Sequence, residues 1–401
     1  MIYLSTDMSG TDTLFMWNHL SPGLQRLLTV HSCANGDTKS RPMTMSPQST
    51  ISTLSRDIRL LPSPPLSYLF HIGNYWRSES VTEDQHFVDF LASRMASQVN
   101  EITKNMAKHL LHLVSETAEN LRSMEVTDHF DILQELGEGS FGKVLMGKHK
   151  HSGQVVALKL LRKERTQEDN FLLEYGVSLT LSCHPHIILT HQIVFQTGRE
   201  FVLIQEVAPA GNLQSIIKPK VGMQEDMVKR CVPQIASALD FLHNRGMVHR
   251  DIKPNNVLLM DFECHRIKLA DFGLTRLQGT YTSSLSRFVP YNAPELCRLR
   301  KGEHLMLHPS LDVWAFGVLV YFALTGFFPW RAAQGCDPQY KEFAWWQVKR
   351  DVTKAPEKWK EISVDARAMF WDLFALNASE RGSAMDVMKY MQLPWKLQVP
   401  S

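Results

Sequence analysis

The stretch His249-Arg250-Asp251-Ile252-Lys253-Pro254-Asn255-Asn256 places a carboxylate, an amine and a carboxamide on one short polar segment. Apolar residues flank it, Phe241-Leu242 before and Val257-Leu258-Leu259-Met260 after. A loop braced by buried flanks holds small polar groups in fixed geometry. Asp251 can accept a hydroxyl proton, and Lys253 can neutralise a phosphate. The amide oxygen of Asn256 can ligate a hard cation such as Mg²⁺. A second carboxylate, Asp271, stands at the end of the short strand pattern Ile267-Lys268-Leu269-Ala270.

Upstream, Gly137-Glu138-Gly139-Ser140-Phe141-Gly142-Lys143-Val144 follows the alternating run Phe130–Leu136. Glycines let a backbone approach phosphate oxygens and aim N–H groups at them. A dinucleotide-binding unit requires a helix directly after such glycines. Here a strand follows, Val144-Leu145-Met146, then a turn at Ser152-Gly153 and a second strand, Val155–Leu161. The glycines therefore sit in a hairpin lid. Lys159 lies within that second, otherwise apolar strand, where an unpaired ammonium is costly. It is either an edge residue reaching solvent or a phosphate-binding lysine held by a carboxylate. Glu174, on the helical pattern around Phe171–Tyr175, is the natural partner.

The elements that must position these groups divide the chain in three. Residues 1–80 are a Ser/Thr/Pro-containing segment of low order without sustained periodicity. Within it, Arg59-Leu60-Leu61-Pro62-Ser63-Pro64-Pro65 fits R-x-x-P-x-x-P, a polyproline II pattern that SH3 domains grip; it fits a plain proline-containing linker as well. Residues 81–128 carry Phe87, Leu91, Met95, Val99, Ile102, Met106, Leu110, Leu113 and Leu121 on one stripe. That spacing predicts one long helix or two consecutive ones over Gln85–Met124. Ser80-Val81-Thr82-Glu83 offers it a capping box. The stripe shows that the helix covers something, the following domain in the simplest reading. Residues 129–396 hold the strand patterns, then helical patterns such as Met227–Leu242 and the apolar run opening at Asp312-Val313-Trp314 and ending at Thr325-Gly326.

Composition sets the bounds. The chain has 401 residues, 44% hydrophobic and 21% charged, which is globular usage. A net charge of +2 gives no case for nucleic acid or an anionic membrane. None of the six cysteines forms a C-x-x-C pair, which argues against zinc and for a reduced, cytoplasmic setting. The longest apolar run, Val313–Leu324, is too short for a membrane span.

Taken in order, the three glycines, Lys159, Glu174, His249-Arg250-Asp251 with Asn256, Asp271-Phe272-Gly273 and Ala293-Pro294-Glu295 resemble the eukaryotic protein-kinase motif set over roughly Phe130–Trp395. The resemblance implies an α+β, two-lobed protein-kinase fold. Its N-lobe is small, β-rich and carries one main helix; its C-lobe is larger and mainly helical; here an N-terminal extension precedes both. It implies ATP and Mg²⁺ as cofactors. The glycine loop, Leu136 to Val144, would cover the phosphates, and Lys159, braced by Glu174, would hold them. Glu206 and Ala208 would meet adenine, with Gln205 as gatekeeper. Asn256 and Asp271 would bind Mg²⁺, Lys253 would meet the γ-phosphate, and Asp251 would be the base. Glu295 and Arg381 would form a buried ion pair, and Asp312 would brace the catalytic loop.

The stretches Glu206–Gly211, Val228–Val232 and Asp312–Leu319 are similar to the SH3-binding serine/threonine kinase family. That implies protein Ser/Thr substrates, which Lys253 after Asp251 also favours, and an SH3 partner at Arg59–Pro65. One departure stands out. Aligned from Ala293-Pro294-Glu295, Arg287-Phe288 occupies the place of the usual Gly-Thr, and Phe288 cannot supply the Thr hydrogen bond. The alternative is therefore a weakly active or pseudokinase-like scaffold that binds ATP and SH3-type partners. Arg250 beside Asp251 goes, in the family, with activation-loop phosphorylation. Thr280, Thr282, Ser283 and Ser284 are candidate sites, unless the loop is simply a solvated polar one.

Overall fold

A computed structural model describes residues 83–139, 142–283, 290–349, 351 and 353–397, with side chains from residue 101 onward. Residues 1–82, with Arg59–Pro65 and most of the capping box, lie outside the described residues. So do Ser140, Phe141, Ser284 and Arg287-Phe288.

The alternating run from Phe130 forms β2 (Phe130–Glu138), which folds back antiparallel onto β3 (Gly142–His149) and β4 (Val155–Arg162). Two further strands follow, β5 (Thr190–Gln196) and β6 (Glu200–Gln205). Together with β1 (Arg122–Ser123) they make a six-stranded sheet of order β1-β5-β6-β4-β3-β2. Inward-facing Leu145, Val156, Leu158, Leu160, Phe195 and Val202 fill its core face with Phe130. The opposite face is covered too, Leu161, Phe201 and Leu203 clustering with Phe171 and Tyr175.

Helix α1 (Glu83–Glu119) precedes β1, and a short turn of helix, α2 (Val126–His129), leads into β2. The Gln85–Met124 helix expected from periodicity is one helix, but it ends at Glu119; Arg122 and Ser123 pair instead with Phe195 and Gln196 of β5. Free edge groups on β5 outcompete helix continuation there. α3 (Glu168–Leu181) crosses behind the sheet.

The second lobe is mainly helical. α4 (Glu225–His243) buries Val228, Val232, Ile235, Leu239 and Leu242, an amphipathic stripe. It delivers β7 (Met247–Val248), the catalytic-loop stretch, and the hairpin of β8 (Val257–Leu259) with β9 (Ile267–Leu269). β10 (Arg276–Leu277) pairs back on β7. β11 (Tyr281–Thr282), α5 (Pro294–Cys297) and β12 (Leu305–Met306) follow, and β12 pairs antiparallel with β11. α6 (Ser310–Thr325) is buried along nearly its whole length and stops at Gly326, whose φ of 72° makes a left-handed cap. α7 (Pro338–Lys349) and α8 (Val364–Leu373) close the lobe around Trp314, Trp330, Trp346, Trp359 and Trp395, all fully buried. No helix among the described residues is long and apolar enough to cross a membrane.

Candidate active site

The cleft is built from the ends of these elements. Lys159 faces inward from the middle of β4, between Val144 of β3 and Leu203 of β6. Its Nζ donates to Glu174 Oε1 of α3 at 2.5 Å and to Asp271 Oδ1, just past β9, at 2.9 Å. The strand lysine is thus paired with carboxylates rather than turned out to solvent as an edge residue. Burial alone would lower its pKa, but Asp271 and Glu174 outweigh that and hold the amine raised and charged. The Lys159 charge in turn, against the effect of burial, holds the Asp271 carboxyl down to about 2. Asp271 is therefore a standing anion, fit to ligate a hard cation.

The catalytic loop is locked from below. Asp312, 1% exposed in the first turn of α6, accepts the amides of His249 at 2.7 Å and Arg250 at 2.8 Å. His243 Nε2 meets the same carboxylate at 2.8 Å. These bonds hold Arg250 at φ 72°, and Asp271 has φ 67°. Left-handed conformations at non-glycine residues cost free energy and persist where surrounding contacts over-determine them. Asp251 emerges beside this anchor with its Oδ2 taken by Lys253 Nζ at 2.7 Å and Asn256 Nδ2 at 2.8 Å. Among the described residues its Oδ1 is unengaged and can accept a proton. Because the Asn256 amide nitrogen donates to Asp251, its carbonyl oxygen is left for a cation.

The hinge has matching chemistry. The Glu206 side chain is occupied by the Leu189 amide at 2.7 Å and by Lys268 Nζ at 2.8 Å. Among the described residues, the Glu206 carbonyl and the Ala208 amide have no hydrogen-bond partner. One acceptor and one donor so placed suit the edge of a purine. Gln205 points the other way, to Thr190 Oγ1 at 3.1 Å.

The glycine loop is less uniform than its motif. In the β2–β3 hairpin, Gly137 pairs with Val144 and Glu138 with Lys143, and Gly139 N donates to Gly142 O at 2.8 Å. A side chain at Gly137 would meet nothing within 4 Å, whereas a Cβ at Gly142 would lie 1.8 Å from Leu160 O. Gly142 is thus required by strand contact, whatever phosphates do. Glu138 engages Arg162 at 2.6 Å, and Leu136 stays 40% exposed at the mouth. Ser140 and Phe141 lie outside the described residues.

Below the site, Arg381 holds Glu295 with two parallel bonds, 2.6 and 2.8 Å, and donates to Ala375 O at 2.8 Å. Among the hydroxyls named as modification candidates, Thr280 and Thr282 are buried. Thr282 Oγ1 accepts from Arg250 at 2.6 Å, and only Ser283 of the described three is exposed.

Sequence reasoning missed several contributors. Arg276 donates to Asn170 of α3 at 3.2 Å, and beside Glu174, whose carboxyl burial pushes up, its charge joins that of Lys159 in opposing the rise. His243 and Lys268 are others. Each is one polar residue in an apolar or mixed stretch, and no local pattern marks its partner. Thr282, Tyr291, Leu296 and Leu311 line a pocket beside Asp251, a grouping that only the folded chain makes.

Comparison with known proteins agrees with this geometry. The protein kinase domain family matches residues 130–395. Serine/threonine-protein kinase SBK1 of Mus musculus is 45% identical over 276 residues, covering 69% of this chain and 66% of that protein. The Danio rerio protein of the same name is 44% identical over 281 residues, 70% of this chain and 73% of its own. Serine/threonine-protein kinase SBK2 of Homo sapiens is 37% identical over 292 residues, 72% of this chain and 84% of its own. The chain therefore belongs to the protein kinase family, as a serine/threonine kinase of the SH3-binding kinase group.

Proposed function

We propose that this kinase is catalytically active and that it uses ATP and Mg²⁺ to phosphorylate Ser and Thr hydroxyls of protein substrates. The observation that carries this reading is the joined set Lys159, Glu174 and Asp271, with Asp251 and Asn256 bonded to one another beside it. ATP would supply the γ-phosphoryl group, and Mg²⁺ would neutralise charge on its oxygens. The fit rests on donor chemistry. Asp271 is a carboxylate that Lys159 holds ionised, Asn256 offers a carbonyl oxygen, and few other protein ligands are needed because Mg²⁺ takes phosphate oxygens and waters as well. The Glu206 carbonyl and Ala208 amide would orient the base, and the backbone from Leu136 to Val144, including Lys143, would lie over the phosphates. Lys159, fixed by Glu174, places a positive charge where phosphate oxygens would sit. Asp251 Oδ1 would take the proton of the attacking hydroxyl as that oxygen bonds to the γ-phosphorus and the bond from phosphorus to the bridging oxygen breaks, ADP leaving with its electron pair, and Lys253 would carry charge toward the transferred group. Most of this is positioning and electrostatic complementarity.

The assembled ion pairs support turnover over the scaffold alternative. The test is transfer of labelled γ-phosphate from Mg-ATP to a Ser/Thr peptide pool by the wild type and by Asp251→Asn. Loss of roughly two orders of magnitude in the variant, with ATP binding retained, is the expected outcome. Equal transfer by both proteins removes Asp251 as the base.

The reading extends outward in three ways. The R-x-x-P-x-x-P segment Arg59–Pro65 would recruit an SH3 domain; binding to an SH3 panel that survives Pro62→Ala with Pro65→Ala excludes it. Among the Ser and Thr candidates in the described residues, Ser283 is the exposed one and would be open to modification. The five described cysteines are all free thiols, in keeping with a cytoplasmic setting.

A further inference from the structure

We propose that α1 is a positioning element for catalysis: Leu110 and Val114 clamp α3 so that Glu174 stays on Lys159. The proposal rests on the reading of Glu174 given above.

α3 is buried without interruption from Phe171 to Ser178, which a helix on the outside of a small lobe is not unless something covers its outer face. α1 is that cover. Leu110 and Val114 are 1% and 2% exposed. Val114, Leu113 and Leu110 stand 3.5, 3.7 and 3.8 Å from where a Cβ on Gly176 would be. Gly176 thus lets α1 rest directly on the α3 backbone, two residues beyond Glu174. Leu110 shares a core with Leu173 and Val177, while Val114 shares one with Phe171, Leu172 and Tyr175. The two side chains therefore bear on α3 at Gly176, within a turn of Glu174. His109 Nε2 adds a contact to Thr180 Oγ1 at 3.1 Å.

α1 is itself anchored at both ends of the described contact. Toward its N-terminal side, buried Thr103 sits on the C-lobe: its Oγ1 lies 2.7 Å from a Cβ position on Gly246, which has φ 69°. Gly246 belongs to the turn that leads directly into the catalytic loop. Beyond its C-terminal end, β1 pairs with β5, and Met124 N donates to Gln196 O at 2.9 Å. One helix thus ties α3 to the catalytic-loop turn and to the sheet edge. Ile102, expected on the buried stripe, is 41% exposed, and Thr103 takes its place because a small side chain fits against Gly246.

The experiment is a double-mutant cycle on the full chain. Leu110→Ala with Val114→Ala is introduced into the wild type and into Glu174→Gln, and kcat, KM for peptide and thermal stability are measured well below the unfolding temperature. A helix acting through Glu174 lowers kcat at least tenfold in the wild type, leaves peptide KM within twofold, and lowers kcat less than twofold further in Glu174→Gln. Leu110→Met, which keeps the volume, restores most of the rate. Equal losses in both backgrounds would show that α1 merely stabilises the fold, and kcat within twofold of wild type would remove the clamp; either result overturns the proposal. If the double variant is not folded, Val114→Ala alone is carried through the same cycle with the same criteria. Glu174→Gln alone at wild-type rate would instead sink the reading of Glu174, and the clamp with it, so the two failures are told apart.

Discussion

Replacing Asp312 with Ala tests whether the catalytic loop is held from α6. The carboxylate accepts two backbone amides, His249 N at 2.7 Å and Arg250 N at 2.8 Å, and contacts His243. Alanine leaves both amides without their acceptor, that of His249 buried and that of Arg250 part-buried. Each orphaned buried donor costs about 1–3 kcal/mol. His243 can rehydrate in part and is left out of the sum. Arg250, at φ 72°, relaxes once released and returns about 1 kcal/mol of backbone strain. The net loss is about 1–5 kcal/mol. At about 2 °C per kcal/mol for a domain of this size, that lowers Tm by about 2–10 °C. Turnover falls further than stability accounts for, because Arg250 adjoins Asp251 and a misplacement of about 1 Å costs roughly 100-fold in rate. The assay is thermal unfolding by circular dichroism, with kcat taken at a temperature where the variant remains folded. Asp312→Asn keeps one acceptor and faces the other amide with a donor, so it should fall near the alanine variant rather than near wild type. A Tm within 2 °C of wild type, together with kcat within twofold, would refute the account of the loop.

Other outcomes follow from the same geometry. Arg381→Ala abandons Glu295 and the Ala375 carbonyl in the interior, so stability should drop by about 3–5 kcal/mol, read by the unfolding midpoint; a drop below 1 kcal/mol would show the pair to be dispensable. Gly142→Ala drives a Cβ into Leu160 O and should cost about 1–3 kcal/mol, while Gly137→Ala, with open space around it, should stay within about 0.5 kcal/mol; similar Tm values for the two variants would contradict this. Asp271, held at about 2 against an ordinary 3.8, adds stability that is complete above pH 4 and is lost as pH falls toward 2. Its side chain is 43% exposed, so solvent screening limits the effect to about 1 kcal/mol. The Tm gap between wild type and Asp271→Asn should therefore be constant from pH 7 to 5 and shrink below pH 4, and a gap that widens on acidification would reverse the sign assigned here.

Much of this protein is legible along the chain because its chemistry is local. Asp251, Lys253 and Asn256 lie within six residues, and their bonds to one another are what that spacing permits. The hairpin lid is just as local: a strand after the glycines, in place of a helix, excluded one nucleotide-binding arrangement and predicted the other. The start of β2 at Phe130 and the left-handed stop of α6 at Gly326 follow from alternation and from glycine's tolerance of positive φ. Lys159 with Glu174 was inferred from the cost of an unpaired charge in an apolar strand, a physical reason that needs no coordinates.

What tertiary structure alone decided is whatever depends on surfaces meeting. Periodicity showed that α1 covers something, yet not where it ends or which residues face inward. The ladder offered by β5 stops the helix at Glu119, and the close approach to Gly246 buries Thr103 and turns Ile102 outward. Gly142 belongs to a motif read as phosphate-binding, but the carbonyl of Leu160, eighteen residues on, is what forbids a side chain there. Arg276, His243 and Lys268 carry no sequence signal, because a polar residue is defined by a partner that only folding brings near. Spacing along a chain determines which groups can cooperate within a turn or a hairpin. Long-range pairing depends on the packing of whole elements, and that is set by the summed burial of many apolar side chains rather than by the residues that do the chemistry.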